Sequence, residues 1–161
     1  MNCYNKQSKR FLQVNLNYLF LQILIFLVFT QIIIGALVSG LDAGKIYQTW
    51  PLMNGNYLPD DYLFNDFINL NNPSFVQFAH RNIAYLIFFL TIFLGIYIYR
   101  NKIIRLYNSY LIFFLFIILQ VVLGILVLFL GSNILFGSMH QISSIFLIAS
   151  SLNIYYQSVK S

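Results

Sequence analysis

Three stretches of the chain carry no charged side chain: between Arg10 and Asp42, between Arg81 and Arg100, and between Arg105 and Lys160. A helix that crosses a bilayer needs roughly 20 apolar residues, so the first two stretches each hold one span and the third is long enough for two. The turn triplet Gly131-Ser132-Asn133 divides that third stretch. The pattern predicts helices over 18–39, 74–99, 110–130 and 137–157. The expected fold is all-α, an integral membrane four-helix bundle over 18–157, with a polar segment over 1–17 and a loop over 40–73. Lys6, Lys9 and Arg10 before the first span, and Gly35, Ala36, Ser39 and Gly40 at its end, give it the outline of a signal peptide. Its apolar core exceeds the roughly 7–15 residues of such a segment, so a retained helix is expected.

Composition strengthens this picture. With 60% hydrophobic and 8% charged residues in 161, the chain is not a water-soluble globule. Four spans leave only short connections, which excludes a separate soluble catalytic domain. The net charge of +5 comes from nine basic residues scattered around the apolar runs. They form no basic face, so nucleic acid is not an expected partner. They act instead as topology signals: Lys6, Lys9 and Arg10, then Arg100, Lys102 and Arg105, then Lys160 place both termini inside and the loop over 40–73 outside. That loop holds all four acidic residues, Asp42, Asp60, Asp61 and Asp66. The single cysteine, Cys3, allows neither an internal disulfide nor a Cys/His zinc site.

The first and third spans share a pattern, Gln31-x-x-x-Gly35 and Gln120-x-x-x-Gly124, and each is followed one helix later by a histidine, His80 or His140. The chain thus reads as two copies of a helix pair. Gln-x-x-x-Gly is also a helix-packing pattern, the glycine permitting close approach and the glutamine bonding across helices. Both histidines lie within about a turn of the outer end of spans that run in the same direction. If these spans are diagonal neighbours, the imidazoles face one another across a gap that suits a porphyrin, because bis-imidazole heme ligation takes one nitrogen from each face. Small residues below them, Ala84, Thr91 and Gly95 on one helix and Ser143, Ser144, Ser150 and Ser151 on the other, fit either a slot for the plate or plain helix packing. Arg81 fits either contact with anionic heme propionates or an interfacial anchor. An isolated intramembrane histidine is most simply an interfacial residue. These are the only two, at matched places, and that favours heme; zinc would lack ligands.

Gly40-Leu41-Asp42-Ala43-Gly44, Tyr47, Pro51-Leu52-Met53, Val76-Gln77-Phe78 with His80-Arg81, Leu123-Gly124 and His140-Gln141 resemble heme A synthase, specifically its carboxy-terminal half over about 31–151. The motif order is similar to that of the alphaproteobacterial and mitochondrial type. The resemblance implies half of an eight-span pseudo-twofold fold and an oxidoreductase that converts heme O to heme A by oxidising a ring methyl to a formyl group. It also implies a heme b cofactor with His80 and His140 as axial ligands, Arg81 beside them, and residence in a bacterial cytoplasmic or mitochondrial inner membrane. Asn54 departs from the aspartate common in the family, and Met139 precedes the second histidine. The larger departure is that the amino-terminal bundle, which in the family holds the substrate heme and a glutamate implicated in the reaction, has no counterpart; the chain contains no glutamate. The expectation is a cofactor half for cytochrome oxidase assembly, surrounded by membrane lipid. It pairs with a separately encoded amino-terminal half or forms a homo-oligomer, or it is a piece of a longer gene product. No residue names the electron acceptor.

Two rival functions remain open on these residues: a non-catalytic membrane heme-binding or assembly subunit, and a cytochrome b-type electron-transfer anchor. A transporter fits poorly, since no charge lies in the middle of any span. Trp50, Pro51, Tyr57, Leu58 and Pro59, with Phe64 and Phe67, read as an interfacial aromatic belt or as a lid over a heme edge. Asp42 is expected to cap or brace the turn after the first span.

Overall fold

The computed structural model describes residues 16–60 and 69–160. Four helices dominate: α1 (Leu16–Gly40), α2 (Pro73–Arg100), α3 (Tyr107–Phe129) and α4 (Ile134–Val159). Each is long and apolar enough to cross a membrane. Their ends depart from the expected spans by three residues at most, and the caps explain where they fall. Asn72 accepts from the N–H groups of Ser74 and Phe75, and Pro73 occupies the first helical position, where a missing N–H costs nothing. Asn133 accepts from the Leu135 N–H and starts α4 three residues before the expected Gly137. Gly131 and Ser132 take φ of 63° and 60°, and the Ser132 N–H donates to the Val127 carbonyl, closing α3 with left-handed residues. At the other end of the bundle Arg105 donates to the carbonyls of Ser158 and Lys160, both at 3.1 Å. This residue, expected only as a topology signal, therefore also caps α4, where a cation suits the negative end of the helix dipole.

Helix α1 packs against α2 and α4, and α3 packs against α4 and α2. The backbones of α2 and α4 do not approach, so the two histidine-bearing helices lie on a diagonal. Apolar side chains fill the half of the bundle remote from the loop: Leu21, Leu24 and Val28 from α1, Ile87, Leu94 and Ile98 from α2, Phe113 and Ile117 from α3, and Leu147 and Ile154 from α4. Lipid tails are as apolar as these residues, so close packing and interhelical hydrogen bonds hold the bundle in place of water expulsion. Toward the loop, the core gives way to polar side chains.

The loop is folded onto that end. A short 3-10 turn, Ala43–Lys45, follows α1, with Asp42 at φ 52° bridging to Lys45 at 2.8 Å. Asp42 thus braces the turn as expected, through an ion pair and without a side-chain cap bond. Met53 pairs with Asn56 across Asn54-Gly55, whose positive φ values suit a tight hairpin turn. Ala43, Tyr47 and Met53 face inward and are buried, while Trp50, Leu52, Tyr57 and Leu58 face out. The Trp50–Pro51 peptide is cis.

Candidate functional site

The histidines meet across the α2–α4 diagonal. Their ring centroids are 6.5 Å apart and their planes stand at 76°. His80 is the eighth residue of α2 and His140 the seventh of α4, so both lie about two turns in, deeper than the single turn expected. For His140 the extra depth comes from the early start of α4 at Asn133. Each ring is half-buried, and each Nδ1 is a buried nitrogen without a hydrogen-bond partner among the described residues.

The Gln-x-x-x-Gly repeat frames both rings from the neighbouring helix. The Gln31 Nε2 donates to the His80 carbonyl at 3.0 Å, and the Gln120 Nε2 to the His140 carbonyl at 3.1 Å. One turn on, a Cβ added to Gly35 would lie 3.0 Å from His80 Cε1, and one added to Gly124 would lie 3.4 Å from His140 Cε1. The packing reading of the motif is therefore what the structure displays, with one addition: the space each glycine leaves is taken by an imidazole. The copies differ in detail. Gln120 also donates to the Ser143 hydroxyl at 2.7 Å, whereas Gln31 Nε2 lies 3.3 Å from His80 Nε2.

Arg81 is turned toward the loop. It is 8% exposed, too buried for an interfacial anchor, and its terminal nitrogens donate to loop carbonyls, NH2 to Tyr47 at 2.8 Å and NH1 to Leu52 at 3.4 Å. Gln77, one turn earlier on the same face, donates to the same Tyr47 carbonyl at 2.9 Å. On the adjoining face Tyr57 sets its ring edge-on to Phe78 and bonds through its hydroxyl to Asn82. The Tyr47 hydroxyl in turn accepts from the Asp60 N–H at 2.9 Å. The first turns of α2 thus hold the loop over the histidine end of the bundle. The inner face of the described loop is tied to α2, while Trp50, Tyr57 and Leu58 are exposed. Phe64, Phe67, Asp61 and Asp66 lie outside the described residues. The role of Gln77 was not recognised in the sequence, although its spacing of four from Arg81 at the end of a span was the available signal.

The small-residue stripes do not make one continuous slot. Gly95 is filled by Tyr110, whose hydroxyl occupies the place a Cβ would take, and Thr91 is buried and bonds its own helix at the Ile87 carbonyl. Ser150 and Ser151 are buried in the apolar half and likewise bond carbonyls three residues back. In these, helix packing is the operative role. Ser143 belongs to the histidine site through Gln120, and Ser144 bonds the Gln141 carbonyl.

The sequence model of the cytochrome oxidase assembly protein family matches residues 4–152. The chain belongs to that family. Among its curated relatives, the protein named heme A synthase in Pelagibacter ubique (strain HTCC1062) is 42% identical over 144 residues, covering 86% of this chain and 42% of that protein. The one from Wolbachia pipientis wMel is 39% identical over 150 residues, covering 91% of this chain and 41% of the relative. The one from Bartonella henselae is 42% identical over 123 residues, covering 73% and 34%. The chain spans well under half the length of these relatives. No solved structure matches it. As a cytochrome oxidase assembly family member with four membrane-length helices, it is an integral membrane protein.

Proposed function

We propose that this chain is the cofactor-holding part of a heme A synthase, with His80 and His140 as axial ligands of a heme b. The observation that carries the reading is the imidazole pair on the α2–α4 diagonal, 6.5 Å between centroids. His80 and His140 would be the residues that hold the heme iron, imidazole being a usual protein ligand of that metal. The donor set fits as well: each ring presents a buried nitrogen that no described residue occupies. A heme held there supplies one-electron redox chemistry. The protein's own contribution is to hold the helix register through Gln31 and Gln120, to leave ring space at Gly35 and Gly124, and to keep the loop closed over that end through Gln77 and Arg81.

The substrate in this reading is heme O, whose ring methyl is oxidised to the formyl of heme A with water supplying the oxygen, while four electrons leave to a separate acceptor and four protons to solvent. The chain has no glutamate and corresponds to 34–42% of the curated relatives' length. In this reading the substrate heme belongs to a second bundle: an amino-terminal half, encoded separately or within the same longer gene product, or another copy of the chain. The test is to express the chain in heme-replete membranes and record reduced-minus-oxidised spectra for wild type, His80→Ala and His140→Ala. The expected outcome is a low-spin b-type signal that both substitutions abolish. A folded protein that never takes up heme would overturn the proposal and leave an assembly role.

A further inference from the structure

The two imidazoles sit in unequal seats, and we infer that the Gln31–Gly35 pair of α1 fixes the orientation of the His80 ring while the His140 ring stays adjustable. The inference deepens the proposed heme site, and its holo arm rests on that reading. On the His80 side, the glycine-side clearance is 3.0 Å from a virtual Gly35 Cβ to Cε1, closer than a real methyl normally comes. The Gln31 amide lies 3.3 Å from His80 Nε2 while also bonding the His80 carbonyl, so the ring is bounded on two sides by one helix. On the His140 side the corresponding distance is 3.4 Å, an ordinary van der Waals contact. There the glutamine amide turns away from the ring toward the Ser143 hydroxyl at 2.7 Å. The source of the asymmetry is the residue three places after each histidine. Ser143 offers Gln120 an acceptor; Ile83, at the equivalent place in α2, offers Gln31 none.

Gln31 and Gly35 are thus positioning residues that act through His80. A methyl at Gly35 must displace a ring that cannot swing freely, whereas a methyl at Gly124 needs only a slight yield. Alanine is intrinsically the better helix former, so without a ring in the way either substitution would be neutral or stabilising.

The experiment is a pair of double-mutant cycles on the heme-free chain in detergent, read by thermal unfolding. Gly35→Ala is expected to lower Tm by about 3–6 °C in the wild-type background and to lose that effect in His80→Ala. Gly124→Ala should shift Tm by less than about 2 °C in both the wild-type and His140→Ala backgrounds. If Gly35→Ala alone does not fold, folding of Gly35→Ala/His80→Ala carries the same message. Failure of both, a penalty indifferent to His80, or equal coupling in the two cycles would overturn the inference. In the heme-loaded protein, Gly35→Ala should move the low-spin ferric resonance and Gly124→Ala should leave it in place; an unmoved signal in Gly35→Ala counts against the inference. A wild type that takes up no heme sinks the heme reading, while the heme-free cycles still judge the seat.

Discussion

Gln77 and Arg81 stand four residues apart on α2 and together put three donors onto two loop carbonyls, those of Tyr47 and Leu52. The Tyr47 carbonyl keeps its Arg81 donor when Gln77 is removed, so Gln77→Leu gives up the net worth of one hydrogen bond, about 0.5–1.5 kcal/mol, and should loosen the loop without touching the histidines. With about 1.4 kcal/mol per tenfold, limited proteolysis within the loop is expected to run about two- to tenfold faster in Gln77→Leu than in wild type. An unchanged cleavage rate would mean the loop is held elsewhere. At this scale the set of residues that come together was legible in the sequence: His80, His140, Gln31, Gly35, Gln120 and Gly124 stand out because the pattern occurs twice. The Arg81 contacts were not legible, for a physical reason. Its acceptors are main-chain oxygens, which no residue letter encodes, and they come from a loop tens of residues away.

At the level of helices, hydropathy located all four spans, and caps at Asn72 and Asn133 set the ends more finely than apolar length could. The stripes of small residues resisted reading because a glycine or serine on a helix looks the same whether a ligand or a neighbouring helix fills the space. The rotational phase of the partner helix decides it, and for Gly95 the partner is Tyr110 of α3. A methyl there collides with a buried tyrosine flanked by Tyr99 and Phe114. Overpacking of this kind costs about 1–3 kcal/mol, which should outweigh the helix propensity gained. Gly95→Ala is therefore expected to unfold at lower temperature in detergent, whereas Gly137→Ala, with open space around its Cβ position, should not. Equal melting of the two variants would count against the tyrosine contact.

Across the whole molecule, the described charges divide between the ends: Arg100, Lys102, Arg105 and Lys160 at one, and Asp42, Lys45, Asp60 and Arg81 at the other. The positive-inside rule then predicts that the loop faces outward. In a Cys3→Ser background, Asn54→Cys should react with an impermeant thiol reagent in intact cells and Lys102→Cys only after permeabilisation; the reverse pattern would invert the orientation. The diagonal arrangement stands in the sequence reading only as a condition for the histidines to meet, and the packing of the chain supplies it through α1 and α3, each of which bridges α2 and α4. Those bridges lean on Gln31 and Gln120, and both glutamines grip the main-chain oxygen at positions 80 and 140. Every amino acid carries that oxygen. Helix register can accordingly be inherited separately from ligand chemistry: a descendant that exchanged either histidine for another residue would keep its scaffold, free to drift toward a heme-less role while remaining a competent membrane bundle.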